Sequence, residues 1–234
     1  MKSYFLLGFW LALLPLFSCT AHINGSLSVD GSAQITVNMS LEPRITSLIR
    51  TFTVVGGQAE GLVLDGSAIA ASMSGAPGIA SIALRNTAPS AVEGVVRISN
   101  INDFLSGADG TGFINFEQGN LGGRCEININ LENSPVILEL LSPEIASYLN
   151  ALMAPLASGE ELTKSEYLDL VSTIYNRTIA NEIESSRFRA SIEFPGPVTN
   201  VRGGTFSGRR AEFDISLLDL LVLEEPLSYE VRWR

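Results

Sequence analysis

From Ile23 the chain alternates apolar and polar positions, with Ile23, Gly25, Leu27 and Val29 on one side and, after Asp30-Gly31-Ser32, Ala33, Ile35, Val37 and Met39 on one side again. Period-two alternation on both flanks of a turn dipeptide predicts a β-hairpin. A two-residue turn would put the two apolar rows on opposite faces, so the expectation is a three-residue loop with a bulge, pairing Val29 with Ala33. The period then lengthens. Pro43 stands at a first helical position, and Ile45, Leu48, Ile49 and Phe52 form one helical stripe closed by Gly56-Gly57 and Gly61. A short Ala-rich helix is expected over 67–73, a strand over 79–84 after Pro77-Gly78, and a strand through Val92, Gly94, Val96 and Ile98. One helical turn over 101–105 and a strand pair at 112–117 and 125–131 follow.

The middle of the chain reads as helical. Ser134-Pro135 and Ser142-Pro143 each look like an N-cap with proline at the first helical position, and Ile145, Leu149, Leu152 and Met153 make a stripe. Thr163-Lys164-Ser165-Glu166 has the spacing of a capping box. It opens one long helix to about 184, with Tyr167, Val171, Ile174, Thr178 and Ile183 on roughly one side, antiparallel to its predecessor across the loop 157–161. Alternation returns in Phe188, Ala190, Ile192 and Phe194, ended by Pro195-Gly196-Pro197. Strands at 198–201 and 210–215, a short buried helix at 217–223 and a last strand through Leu227, Tyr229, Val231 and Trp233 complete the pattern. Half-polar strands mean one buried and one wet face, so the fold class is α+β: a mainly antiparallel twisted sheet with amphipathic helices packed on one face.

The first residues follow another logic. Met1-Lys2-Ser3-Tyr4 supplies one cation, and 5–17 is an unbroken apolar run too short for the roughly 20 residues that cross a bilayer. That is a signal-peptide layout. Leu16-Phe17-Ser18-Cys19 resembles the lipobox of bacterial lipoproteins, which makes Cys19 the lipidation site; ordinary cleavage after Ala21 is the alternative. The expected organisation is a signal peptide at 1–18, a lipidated anchor and short linker at 19–24, and one α+β domain over 25–234, any seam lying near Asn133. Several acyl chains anchor stably where one holds only marginally.

Charge narrows the partners. The chain carries 15 basic and 25 acidic residues, and removing 1–18 takes only Lys2, leaving 14 basic against 25 acidic, −11. Such a body does not seek nucleic acid and is repelled by anionic head groups, so membrane attachment rests on the lipid. With Cys19 acylated, only Cys125 is left; it shares the apolar parity of Ile127, Ile129 and Leu131 and reads as a buried structural thiol.

Phe194-Pro195-Gly196-Pro197-Val198, then Gly203-Gly204-Thr205-Phe206-Ser207-Gly208, and the terminal Tyr229-Glu230-Val231-Arg232-Trp233 resemble the closing signature of LppM-type bacterial envelope lipoproteins. The hairpin behind an anchor cysteine is similar too. The resemblance covers about the last fifty residues and the first strand pair, and the large helical insert departs from it. It implies an envelope-surface α+β domain with an apolar cavity for lipid or glycolipid and no catalytic residues.

Familiar chemistry is not assembled in the sequence. His22, the one histidine, falls in the expected linker, away from any pocket a His-dependent triad needs. No Gly-x-Ser-x-Gly elbow occurs, and one histidine with one apolar-row cysteine does not make a zinc site. Glu160-Glu161 and Glu224-Glu225 read as solvated pairs without calcium-loop spacing. Gly203-x-x-x-x-Gly208-Arg209-Arg210 lacks the lysine and hydroxyl of a phosphate loop and reads as a hairpin turn. Asn176-Arg177-Thr178 matches a glycosylation sequon inside a helix. The expectation is therefore no enzyme, no cofactor and no metal, but an exported lipoprotein on the cell membrane or outer membrane with a non-catalytic binding or interaction domain. Its partner is the membrane through the anchor, with an envelope protein or a lipid ligand beyond it. The alternative is a carrier or presenter of lipid or glycolipid with an apolar groove; it predicts uncovered apolar side chains on 188–194 and 227–233, whereas the interaction reading predicts a filled core there.

Overall fold

The computed structural model describes residues 20–41, 43, 44, 46, 47, 50, 62–107, 113–119, 121–135, 138 and 143–234. Among them the strands are β1 (Thr20–Leu27), β2 (Ala33–Ser40), β3 (Ile79–Ala88), β4 (Ala91–Ile98), β5 (Ile114–Gly119), β6 (Gly122–Ile129), β7 (Arg187–Glu193), β8 (Val198–Arg202), β9 (Thr205–Ser207), β10 (Arg210–Ser216) and β11 (Leu227–Trp233). The helices are α1 (Gly66–Met73), α2 (Ile101–Gly107), α3 (Pro143–Ala151), α4 (Pro155–Ser158), α5 (Lys164–Ile174), α6 (Arg177–Ser185) and α7 (Leu217–Val222). The α+β class is as expected. The stripe of Ile45, Leu48, Ile49 and Phe52 and the glycines at 56, 57 and 61 lie outside the described residues.

Two sheets form where one was expected. A seven-stranded sheet has the order β3-β4-β2-β1-β7-β10-β9, and a four-stranded sheet the order β5-β6-β11-β8. β1 runs parallel to β7, with Ala21 beside Phe188 and Gly25 beside Ile192; the other strand pairings are antiparallel. Both sheets draw strands from before and after Asn133.

The expected registers need three corrections. β1 begins at Thr20, so 20–24 is no linker: Ala21 is 5% exposed and continues the inward row of Ile23, Gly25 and Leu27. The hairpin pairs Leu27, not Val29, with Ala33. Its three-residue loop is Val29-Asp30-Gly31, closed by Ser28 N–H donating to Ser32 O at 2.8 Å. Gly31 takes φ 81°, which glycine adopts at no steric cost, and that pins the loop one residue earlier than the Asp-Gly pair suggested. Val29 is left 78% exposed. The long helix over 163–184 is broken into α5 and α6, because Asn176 adopts an extended backbone and its side chain accepts from Ile179 N–H at 3.0 Å. The sequon asparagine is thus a helix cap.

That break decides the packing. A continuous helix would bury one stripe; the turn at Tyr175-Asn176 lets Tyr167 and Val171 of α5 and Ile179, Ala180 and Ile183 of α6 enter the same core. Ile174 stays half exposed while Tyr175 turns in, its hydroxyl donating to Ala151 O. Leu218, Leu221 and Val222 of α7 complete this helical core. It sits at the Thr20 end of the large sheet, since α6 runs into β7 there, α7 leaves β10 there, and Val63 N–H donates to Pro89 O in the β3–β4 turn. A second core lies at the Leu27 end, where the small sheet packs on the large one through Leu27, Phe194, Val198, Ala211, Phe213, Val231 and Trp233. Trp233 lies 4.8 Å from Phe194 and 5.9 Å from Phe116 between ring centres, and Phe213 meets Tyr229 edge-on at 5.6 Å. Gly196, in the Phe-Pro-Gly-Pro run, has no room for a Cβ, because the Arg234 carbonyl occupies that position.

Candidate functional site

The outward row of β1 carries His22 and Asn24, and the pairing of four strands extends each into a polar row across the sheet. His22 lies beside Arg189, which lies beside Asp214. Asn24 lies beside Ser191, then Glu212, then Thr205. With Gly203 and Gly204 at the rim, these rows line an open concavity of about 570 Å³. Arg189 Nε stands 3.5 Å from Asp214 Oδ2 with both side chains 57% exposed, an ion pair worth little to stability in water and free to exchange partners. The floor offers imidazole, guanidinium, amide, hydroxyl and carboxylate groups on a rigid strand framework. His22 was missed as a member of any surface because 20–24 read as linker; the signal was the polar alternation of His22, Asn24 and Ser26 against Ala21, Ile23 and Gly25.

The outer face of the small sheet is charged differently. Pairing sets Glu126 opposite Glu230 and Arg124 opposite Arg232, like charge beside like charge. Bonds along and across the strands resolve the conflict: Glu230 accepts from Arg232 Nε of its own strand at 2.5 Å and diagonally from Arg124 Nε at 2.9 Å, while Arg202 donates to Glu126 at 3.0 Å. The Glu230 side chain is 6% exposed. The Arg232 bond, then the Arg124 bond and the charges of both, hold its carboxyl below the usual carboxylate range, against the desolvation that would raise it. Arg124 is held above its ordinary value chiefly by the same Glu230 bond. This lattice fixes sheet register, and its guanidiniums are engaged.

The remaining candidates are placed as follows. Cys19 lies outside the described residues, directly before β1. Cys125 sits half-buried on β6 opposite Phe116 and Val231 against the aromatic core, and burial pushes its thiol up to about 11. Glu224 accepts from Lys164 N–H at 3.0 Å, so it helps hold the start of α5, and Glu160 and Glu161 are exposed. The glycines at 203 and 208 take φ 77° and 60° around β9, a three-residue strand within what read as a turn. Among the described residues no group of three or more His, Cys, Asp or Glu side chains could hold a metal ion, and no helix is long and apolar enough to cross a membrane.

No family model and no curated protein matches this chain. Among solved structures it is similar to the NMR structure of the folded domain of Mycobacterium tuberculosis LppM, at 10% identity and a TM-score of 0.42 over 94% of each chain. A likeness that loose carries no property from one protein to the other.

Proposed function

We propose that this chain is an envelope lipoprotein, held to a bilayer by a diacylglyceryl thioether on Cys19, whose folded body is a non-catalytic recognition domain for a protein partner at the membrane surface. The observation that carries the reading is the start of β1 at Thr20, one residue after the anchor cysteine. At about 3.3 Å per strand residue, His22 stands about 10 Å and Asn24 about 17 Å along the chain from Cys19. The polar face is therefore tied within a short reach of the lipid. On the strands where a groove reading expects uncovered side chains, Phe194, Val231 and Trp233 are each at most 4% exposed, which supports recognition, while Phe188, Ala190, Ile192, Leu227 and Tyr229 are half-buried.

A carrier or presenter of lipid or glycolipid is the second reading, favoured by the half-buried apolar row Ile35, Val37, Met39, Ile82 and Leu84 in the inner face of the large sheet. Two experiments divide these. Crosslinking of the anchored protein in its own envelope should yield one dominant protein adduct that disappears in a His22→Ala, Arg189→Ala, Glu212→Ala triple variant. Native mass spectrometry of the purified chain should show no bound hydrophobe; a stoichiometric lipid together with loss of the adduct sinks the recognition reading in favour of the carrier.

A further inference from the structure

The strand next to Cys19 is the middle one of its sheet. Among the described residues β1 has β2, β4 and β3 on one side and β7, β10 and β9 on the other. Its first residue is already paired both ways, Thr20 with Ser40 and with Arg187. An edge strand lengthens its tether by peeling; freeing Thr20 and Ala21 here breaks two ladders, uncovers Ala21 from 5% exposure and gains only about 7 Å. The body is therefore held without a tether. At about 4.8 Å between strands, the sheet reaches about 14 Å to either side of β1. A lean within the sheet plane drives the β3–β4 turn into the head groups on one side, or the ends of α6 and α7 on the other, because Ala91 and Ser216 stand at the level of Thr20. The small sheet, packed on the inner face, limits a lean that way. The outer face has nothing to bury in lipid. Its rows on β1, β2, β7 and β10 hold no aliphatic residue: His22, Asn24 and Ser26 lie beside Asn38, Thr36 and Gln34, and beyond them Arg187, Arg189 and Arg210 stand against Glu193, Glu212 and Asp214. A surface that lies down on a bilayer needs an apolar side. This one is polar and locally neutral on a chain of net charge −10, so it repels neither acidic nor basic protein surfaces.

We infer that the anchored body stands upright on its middle strand and presents the His22 face sideways, so that the partner meeting it is a polypeptide held in the same bilayer, a reading that rests on the Cys19 anchor and on the recognition role of that face. With the strands running away from the lipid, the normal to the face runs along the membrane. The rows at His22, Asn24 and Ser26 stand about 10, 17 and 23 Å along the chain from Cys19. A protein surface that covers all three rises from the same head groups and comes alongside. A partner fixed farther off, in a wall layer or an opposite membrane, needs the face to be lifted toward it, which a central strand paired from Thr20 does not allow.

The stance is tested on the acylated full chain in phosphatidylcholine vesicles that contain a nitroxide-headgroup lipid as quencher. A fluorophore is placed at Asn38→Cys, Ser81→Cys or Ser207→Cys in a Cys125→Val background, with circular dichroism of each variant to confirm the fold. Ser81 and Ser207 are the two ends of the row through Ser26, whereas Asn38 lies in the row of His22. Ser81→Cys and Ser207→Cys should be quenched equally, and Asn38→Cys at least about threefold more, because its row is about 13 Å nearer the lipid. Equal quenching at all three sites, or unequal quenching at the two ends of the row, overturns the upright stance. The partner is tested in the native envelope with a benzophenone amino acid at Asn24 and a flexible Gly-Ser insertion between Cys19 and Thr20. For a partner in the same bilayer, the adduct should fall at least about threefold as the insertion grows to about 24 residues, since a loose tether dilutes the face over its own reach. An adduct that rises with tether length overturns the same-bilayer partner. No adduct at any length sinks the recognition reading and this partner with it, and the quenching pattern still decides the stance.

Discussion

The two ends of the seven-stranded sheet are closed by different means. At the Thr20 end, α5, α6 and α7 pack aliphatic side chains around Tyr167, whose hydroxyl donates to Leu152 O at 3.1 Å. At the Leu27 end, an aromatic stack is assembled from β1, β5, β7, β8, β10 and β11, elements spread from the start of the chain to its last residues. The helical end is built mostly from neighbours in sequence. The aromatic end closes only when the first and last strands have both arrived. The helical end can therefore form early and locally, while the aromatic end locks the topology.

Truncating either centre is the strongest way to test that contrast. Trp233→Ala and Tyr167→Ala should each cost about 3–5 kcal/mol in urea denaturation, as aromatic-to-alanine changes in cores do. Both should lower one shared transition, because α6 leads directly into β7 and β10 directly into α7, which ties the two cores together; two separated transitions would mean the ends fold independently. Kinetics sharpen the point: Tyr167→Ala should slow folding, and Trp233→Ala should mainly speed unfolding.

A smaller effect belongs to the charged lattice. Glu230→Gln removes the carboxylate between Arg124 and Arg232 while Glu126 still pairs with Arg124 and Arg202, so it should destabilise less than the aromatic changes, and less again in high salt. It should also flatten the acid limb. The folded pKa of Glu230 is depressed, so its contribution is present above the usual glutamate range and is lost as pH falls through the folded value. A stability profile for Glu230→Gln with the same acid slope as wild type would contradict this role.

Smaller still, Thr163→Ala removes the reciprocal cap of α5 and should cost about 1 kcal/mol at the helical end alone. At the aromatic end the matching probe is alkaline. Burial raises the Cys125 thiol from 9.0 to about 11, so the stability it lends is whole below pH 9 and falls as pH rises toward 11. Cys125→Val should be less sensitive over that window in thermal melts.

The same contrast explains what could be read from the residues. The capping box at Thr163, the proline at the start of α3, α7 and the alternation of β7 and β11 are local signals, and each element is where its pattern put it. The parallel contact of β1 with β7 and the division into two sheets are pairings between distant segments, and alternation says which face a strand buries, not which strand it meets. The break at Asn176 was masked because Tyr167, Val171 and Thr178 continue a helical stripe through it. The polar face escaped notice for a different reason: His22 was judged by its distance from Cys19, when Ala21 and Ile23 already marked the strand that carries it.

The anchor itself is tested most directly by the intact mass and N-terminal sequence of the mature protein recovered from membranes. The mature chain should begin at Cys19 and carry a thioether-linked diglyceride, and a Cys19→Ser variant should be neither acylated nor processed there. A soluble chain that begins at His22 with no added mass would contradict it.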